Sequence, residues 1–204
     1  MRYLVDHPDL VLALLGQHLT LTAITLTIAF TLALPMGVLA ARVPRVRGPL
    51  LGVLGLLYTI PSLAFFVLLI PIMGLGLVPA VTVLVVYAQV VLVRNITVGL
   101  LGVDSAVLEA ARGMGMSPGQ CFWRVEFPLA LPVILAGVRV AVLTTIGIGT
   151  IAAFINAGGL GTLLFMGVSQ SNPDKIIAGA IGVSALALVA NAVIRILEKR
   201  TGPA

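Results

Sequence analysis

Charged residues and cysteine are both scarce in this chain of 204 residues. Only 9% of the residues are charged, whereas a soluble domain devotes about a quarter of its residues to charge. Cys121 is the single cysteine, which excludes an internal disulfide and a metal site built from cysteines. Hydrophobic residues make up 60% of the chain and the mean hydropathy is +1.19. This composition predicts an integral membrane protein.

Histidine and lysine are also rare. His7 and His18 have no acidic cluster beside them, so we interpret both as solvated surface residues and expect no metal site. Lys175 and Lys199 do not follow a glycine-rich loop of the G-x-x-x-x-G-K type, which argues against ATP binding by that route. With so few histidines and one cysteine, no nucleophile–base set is credible. We therefore expect a protein that is not an enzyme and has no cofactor of its own.

Long apolar runs dominate the rest of the chain. A membrane-spanning helix needs about 20 mostly apolar residues, and several stretches meet that requirement. They are residues 19–41, 50–70, 77–93, 130–155 and 176–197, with room for the third to extend toward Leu101. The predicted fold class is therefore an all-α integral membrane protein with about five transmembrane helices, in which residues 1–204 form one domain.

Residues 1–18 precede the first predicted span. A secretory signal peptide would have a basic start and a short apolar core. Here Asp6 and Asp9 accompany Arg2, and the apolar run that follows is too long. We interpret residues 1–18 as a retained N-terminal segment that lies at the membrane interface.

The positions of basic residues predict the orientation, because Lys and Arg collect on the cytoplasmic side of membrane proteins. Basic residues cluster after the first span, after the third span and at the C-terminus, whereas the alternate side carries only Arg2 and Lys175. We predict an N-terminus outside and a cytoplasmic C-terminus. Residues 103–128, which we call the charged segment, then form a cytoplasmic loop.

The predicted spans contain few groups that could drive transport by themselves. No Asp or Glu lies inside any span, which argues against proton coupling, because a proton-driven carrier needs an ionisable group in the bilayer. Arg139 is the one full charge within a span, and we expect it to snorkel or to pair with another helix. Gln89 is expected to hydrogen-bond between helices, and Pro61 to bend the second span.

The charged segment has the pattern of two short helices. Asp104 or Ser105 can cap a helix through "AVLEAARGMGM", and "SPG" at 117–119 breaks that helix before a second one that leads to Pro128. Small residues leave room for another surface to approach. Apolar side chains that could fit a groove in a partner accompany them: Val107, Leu108, Met114 and Met116.

Two parts of this segment keep the spacing of a known motif. "EAARGMG" at 109–115 and "VEFP" at 125–128 resemble Glu-Ala-Ala, three residues, Gly, nine residues and Ile-x-Leu-Pro. Val125 and Phe127 depart from the usual Ile and Leu. The motif is that of ABC-importer permeases, and the resemblance extends over residues 18–200. It implies a type I importer fold in which the charged segment forms coupling helices that dock on a cytoplasmic ATPase.

The resemblance also implies partners and roles. They include ATPase subunits that bind ATP, a second permease subunit that is identical or paralogous, an extracytoplasmic substrate-binding protein and the lipid bilayer of the bacterial cytoplasmic (inner) membrane, but no nucleic acid. Glu109 would cap backbone groups or pair with a basic residue, and the small residues would permit close docking. The residues implied in ATPase coupling are Glu109, Ala110, Ala111, Gly115 and Pro128.

Two further stretches, residues 58–76 and 147–167, are similar to the permeases of osmoprotectant uptake systems. Those systems import quaternary amines such as glycine betaine, choline and carnitine. Aromatic faces attract quaternary ammonium ions, so Tyr58, Tyr87 and Phe154 are candidates for the substrate pathway. Packing or anchoring at the membrane interface also explains aromatic residues at these places. We expect substrate recognition to reside mainly in the separate binding protein.

Other functions stay open from the sequence. An ABC importer for methionine or another small nutrient would share the motif. An ion-driven carrier or a channel would work without an ATPase, and a structural membrane subunit would have no transport path of its own. Only the family resemblance indicates that transport is import and not export.

Overall fold

The computed structural model describes residue 3 and residues 6–201, and throughout them the secondary structure is helical, with no strand. A π-helical turn, Phe122–Glu126, connects the α-helices Pro118–Cys121 and Phe127–Ala152, and a 3-10 turn, Ala153–Ile155, follows the second of them. The all-α fold class is confirmed. The helices in chain order are α1 Pro8–Arg42, α2 Pro44–Tyr58, α3 Ser62–Met73, α4 Leu77–Leu101, α5 Ser105–Gly113, α6 Pro118–Cys121, α7 Phe127–Ala152, α8 Gly161–Ser169 and α9 Pro173–Thr201.

Within the described residues, four stretches are long and apolar enough to cross a membrane: α1, α4, the continuous helical stretch Pro118–Ile155 and α9. The predicted second span differs from the other spans, because α2 and α3 together pass the same test but meet at an angle of 91°. Pro61 lies at this break and has no N–H to donate to a helical carbonyl. The bend predicted at Pro61 is confirmed, and it divides residues 50–70 into two short helices.

The helices differ from the prediction at two places, the start of α1 and the presence of α8. α1 begins at Pro8, so residues 8–18 continue into the first span as one helix and do not form a separate segment. Residues 1, 2, 4 and 5, including Arg2, lie outside the description, and an interfacial position for the N-terminal segment stays a prediction. α4 reaches Leu101, as the sequence allowed. The short helix α8 was not predicted.

The core of the bundle lies around α4, which packs between α1 and α7. Glycines allow these helices to approach closely. A Cβ atom on Gly37 of α1 would lie 2.5 Å from Ile96 Cγ2, and one on Gly137 of α7 would lie 2.4 Å from Asn95 Cβ. Close contact through small residues is how helices associate in a membrane, where lipid competes equally well for apolar surface. The Gln89 Nε2 amide donates to the Ala29 carbonyl (3.0 Å), which confirms the interhelical bond expected of Gln89.

His18 contradicts the sequence interpretation. Its side chain is 0% exposed, and its Nε2–H donates to the Ile146 carbonyl of α7 (3.2 Å). The prediction of a solvated residue was wrong because α1 begins ten residues before His18 and carries it into the bundle. His7, by contrast, is exposed, as predicted.

Residues 153–172, which we call the distal segment, follow α7 and include α8. The Gly159 N–H donates to Gln17 Oε1 of α1 (3.0 Å), and the Gly76 N–H donates to the Ile155 carbonyl (2.7 Å). These bonds hold the distal segment against the starts of α1 and α4. The charged segment lies at the opposite end of the bundle, because it precedes α7 and the distal segment follows it.

Arg139 is paired with another helix. Its Nε lies 3.3 Å from Glu198 Oε1 of α9, so the helix pairing that was one of the two expectations for Arg139 is confirmed. The pair ties the last turns of α9 to α7. Both side chains are partly buried, which strengthens their attraction relative to a pair in water.

Candidate functional site

The first half of the charged segment is a capped helix with a glycine turn after it. Asp104 is the cap: its Oδ1 accepts a hydrogen bond from the Ala106 N–H (2.9 Å), which satisfies one of the free N–H groups at the start of α5. After α5 the chain reverses through Gly115, which has a φ of +82°. Residues other than glycine rarely adopt this conformation. The Met116 N–H then donates to the Ala111 carbonyl (3.2 Å) and closes the turn.

The second half begins with a reciprocal cap. The Ser117 N–H donates to Gln120 Oε1 (2.9 Å) and the Gln120 N–H donates to Ser117 Oγ (3.3 Å), with Pro118 at the first helical position. The predicted pair of short helices is therefore present. The second helix does not stop at Pro128, however. Pro128 lies within the helical stretch Pro118–Ile155, directly after the π-helical turn Phe122–Glu126, and the helix continues through it, so α6 and α7 form one helical rod.

The motif residues do not all face the same way. Glu109, Ala110, Gly115 and Pro128 are exposed. The Glu109 side chain makes no hydrogen bond or ion pair with any residue that the structure describes, so neither the expected backbone cap nor a basic partner is found among those residues. Ala111 is 2% exposed and packs inside the segment, so it differs from the expectation that the small residues would lie open for docking.

An ion pair that the sequence did not reveal joins the charged segment to α1. Glu126 is 3% exposed and accepts a hydrogen bond from the Arg42 guanidinium, whose side chain is 46% exposed. A buried carboxylate needs such a partner, because leaving it unpaired would cost several kcal/mol. The partners are separated by 84 positions along the chain, so no local pattern could identify them.

Basic and apolar surfaces surround this pair. A cleft of about 340 Å³ is lined by Arg42, Arg112 and Glu126, among others, and carries an excess of positive charge. A neighbouring groove of about 670 Å³ is apolar apart from Arg42, and Trp123 forms one wall. Val107, Met114 and Trp123 are large apolar side chains left exposed on the charged segment. This combination is typical of a surface that binds another protein.

The aromatic candidates for a substrate pathway separate into two places. Tyr58 and Tyr87 lie together, with ring centroids 5.3 Å apart, at the break between α2 and α3. The Tyr87 hydroxyl donates to the Ile60 carbonyl beside Pro61, and its ring is buried. Tyr87 therefore satisfies a carbonyl at the bend. Phe154 lies in the distal segment instead, beside Phe165, with ring centroids 5.7 Å apart.

No group of three or more His, Cys, Asp or Glu side chains that could hold a metal ion occurs among residue 3 and residues 6–201. Cys121 is a free, buried thiol in α6.

Comparison with known proteins links this arrangement to transport. Residues 33–203 match the family described as binding-protein-dependent transport system inner membrane component. The chain is 38% identical to the choline transport system permease protein OpuBB of Bacillus subtilis, over 92% of this chain and 87% of the relative. It is 42% identical to the osmoprotectant import permease protein OsmW of Salmonella typhimurium, over 93% of this chain and 90% of the relative.

Solved structures agree with the fold. The chain is similar to a chain of an inward-facing structure of the MetNI methionine ABC transporter, with a TM-score of 0.86 over 97% of this chain and 99% of that one. At 21% sequence identity, this likeness concerns the fold alone.

Proposed function

Because this chain belongs to the family of binding-protein-dependent transport system inner membrane components, we propose that it is the permease subunit of an ATP-driven importer for osmoprotectant quaternary amines. The family resemblance predicted from the motif is confirmed. The substrate class, for example glycine betaine, choline or carnitine, is supported by relatives named for choline, carnitine and osmoprotectant transport. ATP binds to a separate ATPase, and the permease has no cofactor of its own.

The observation that carries the proposal is the charged segment itself. It presents Glu109 and Ala110, exposed and with side chains unbonded to any described residue, on a helix whose start is fixed by the Asp104 cap and whose end is followed by the capped start of α6. A rigid, exposed helix with a glycine turn suits docking into a cleft of another protein. The excess of arginine around the Arg42–Glu126 pair would favour an ATPase surface with acidic residues, because opposite charges speed and orient association.

The attachment of the charged segment to the spans provides a route for motion from the ATPase into the membrane. When ATP closes the ATPase dimer, the docked charged segment moves with it. The motion passes into α7 through the continuous helix from Pro118 and into α1 through the Arg42–Glu126 pair. Two spans are thus moved together, which is the kind of rigid-body displacement that changes which side of the membrane a central pathway opens to.

In the complete importer, the charged segment and the C-terminus are cytoplasmic and the distal segment faces the extracytoplasmic side of the cytoplasmic membrane. A second permease subunit, identical or paralogous, completes the pathway, and an extracytoplasmic binding protein delivers the substrate. The division of basic residues between the two ends of the bundle supports this orientation.

Reconstitution tests the proposal. The chain is placed in proteoliposomes with its ATPase and binding protein, and uptake of labelled glycine betaine, choline and carnitine is measured with and without ATP. We expect ATP-dependent uptake of at least one of them and none by the chain alone. ATP-independent uptake by the chain alone would favour a carrier or channel.

Calorimetry of the binding protein separates substrate classes. We expect it to bind glycine betaine, choline or carnitine and not methionine. Binding of methionine alone would replace the osmoprotectant assignment with an amino-acid importer and leave the permease role intact.

A further inference from the structure

We propose that a pocket in the distal segment binds the quaternary ammonium group of the transported molecule during passage, through the rings of Phe154 and Phe165. The choice of ligand rests on the proposed function, and the position rests on the structure. The pocket has a volume of about 360 Å³. Its walls are formed by Ala153, Phe154, Asn156, Thr162, Phe165, Met166 and Ser169.

The two rings are arranged so that a cation can approach both. Their planes are inclined at 52° and their centroids lie 5.7 Å apart, while Phe154 is 54% and Phe165 37% exposed. A quaternary ammonium ion has no N–H to donate, so ring faces, rather than hydrogen-bond acceptors, are the groups that attract it. Rings buried in a core could not serve this purpose.

The pocket has no formally charged lining residue among those described, and this determines how tightly it binds a cation. A carboxylate would hold a cation firmly in a partly dry pocket, whereas cation–π attraction contributes about 0.5 to 2 kcal/mol. A weak site suits a transport pathway, because the substrate has to leave it in every cycle.

Two free polar side chains complete the pocket. The Thr162 hydroxyl and the Asn156 amide make no hydrogen bond with the residues described. Seven other threonines are bonded to the carbonyl four residues earlier: Thr20, Thr27, Thr31, Thr82, Thr97, Thr144 and Thr150. Thr162 and Asn156 are therefore available for the carboxylate of a betaine or the hydroxyl of choline.

The backbone at Asn156 is unusual. Asn156 has a φ of +61°, in the left-handed region that few residues other than glycine, asparagine and aspartate adopt. Residues held this way cluster at functional sites, where the surrounding structure fixes them. Asn156 lies in the distal segment, which is fixed to α1 by the bond from the Gly159 N–H to Gln17 Oε1.

Tyr58 and Tyr87 do not offer an equivalent site. The Tyr87 ring is buried and its hydroxyl is already bonded to Ile60. The Phe154–Phe165 pocket also lies at the end of α7 away from the charged segment. α7 has 26 residues, which corresponds to about 39 Å at 1.5 Å per residue. That is the end at which a binding protein would release its substrate.

Ligand-observed saturation-transfer NMR tests the site on the assembled transporter in lipid nanodiscs, without the binding protein. The probe is tetramethylammonium, and tert-butanol is a neutral molecule of similar shape. We expect saturable binding of tetramethylammonium that Phe154→Leu and Phe165→Leu each weaken by about three- to tenfold. Phe154→Tyr should retain it, and tert-butanol binding should not change with any of these substitutions.

Val168→Ala is the matched control, because Val168 is exposed on α8 and does not line the pocket. Equal tetramethylammonium affinity in wild type and Phe154→Leu, or an equal loss in Val168→Ala, would overturn the assignment. Uptake by the wild-type importer is measured in parallel. If it imports no quaternary amine, the proposed function fails whatever the NMR result; if it imports them and the leucine variants bind the probe normally, only the pocket fails.

Discussion

The two segments at the ends of α7 are built in opposite ways. The charged segment contains five of the chain's charged side chains, Asp104, Glu109, Arg112, Arg124 and Glu126, and leaves most of them exposed. The distal segment, residues 153–172, contains no charged residue and buries Ile155, Leu160 and Leu163 almost completely. The charged segment is joined to α1 by an ion pair, and the distal segment is held by close packing and by hydrogen bonds to α1 and to the start of α4.

The glycines of the two segments show the same contrast. A Cβ atom on Gly113 or Gly115 would have no atom within 4 Å, whereas one on Gly161 would lie 1.9 Å from the Thr150 carbonyl oxygen. In the charged segment, Gly115 therefore allows the positive φ of the turn, and the space around both glycines stays open to a partner. In the distal segment, Gly158 and Gly159 also have a positive φ, but Gly161 and Gly167 serve close packing against neighbouring backbone. The first segment is built to be contacted by a partner and the second to stay in place.

Gly161→Ala should have the largest effect. Because the added methyl group meets backbone that cannot move aside, we expect a loss of more than about 3 kcal/mol of stability and little assembled permease. The measurement is the amount of folded protein recovered from membranes and its thermal unfolding in detergent. Gly113→Ala is the control and should be recovered normally. Normal recovery of Gly161→Ala would contradict the claim that glycines of the distal segment are required for packing while those of the charged segment are not.

Gly115→Asp comes next, and its effect should fall on transport. The site is open, so the variant should assemble, but an aspartate at a φ of +82° strains the turn by about 1–2 kcal/mol and displaces the docking surface. We expect ATP-dependent uptake to fall by more than about tenfold at normal expression. Gly115→Asn, which tolerates this backbone conformation better, should retain more uptake. Full uptake by an assembled Gly115→Asp variant would contradict the coupling role.

Arg42→Gln should have an intermediate effect on stability. It leaves the Glu126 carboxylate buried without its partner, and we expect a loss of about 1–3 kcal/mol, reduced because Arg42 is half exposed. Glu126→Gln should cost less, because the freed Arg42 can turn to solvent. Thermal unfolding of the two variants in the same detergent measures the difference. Equal losses of stability in the two variants would contradict the claim that the burial of Glu126 determines the cost of breaking the pair.

Asp104→Ala should have the smallest effect. It removes the cap of α5, which typically costs about 1 kcal/mol. Because the helix is exposed, we expect this loss to appear as faster hydrogen exchange in residues 105–113, with global unfolding almost unchanged. Asp104→Asn should preserve the cap. Unchanged exchange in Asp104→Ala would mean that the partner, and not the cap, orders this helix.

Much of the fold could be predicted from the sequence because apolar length is a strong signal. The spans α1, α4, α7 and α9 follow from it, and so does the bend at Pro61, because proline lacks the N–H that a helix needs. The distal helix α8 could not be predicted from apolar length. Its nine residues are as apolar as the neighbouring spans, so hydropathy alone does not mark where one helix ends and the next begins. His18 was misassigned for a related reason: polar residues near the start of a helix do not reveal which neighbours bury them.

The candidate site was predictable to the extent that it is local. The cap at Asp104, the turn at Gly115 and the two short helices depend on neighbours in sequence, and the motif spacing marks them. The Arg42–Glu126 pair and the Phe154–Phe165 pair depend on how distant elements pack. Such pairs carry no sequence signal of their own, so only the structure brings their members together.

Cross-linking of the charged segment to the ATPase tests the central claim most directly. Ala110→Cys places a thiol on the exposed face of α5, while the natural Cys121 is buried and serves as the internal background. In the assembled transporter, a short thiol-to-amine cross-linker should join this position to the ATPase in high yield, with the yield changing when ATP is bound. No ATPase product, together with labelling of the same position from outside intact cells by a membrane-impermeant maleimide, would contradict the account.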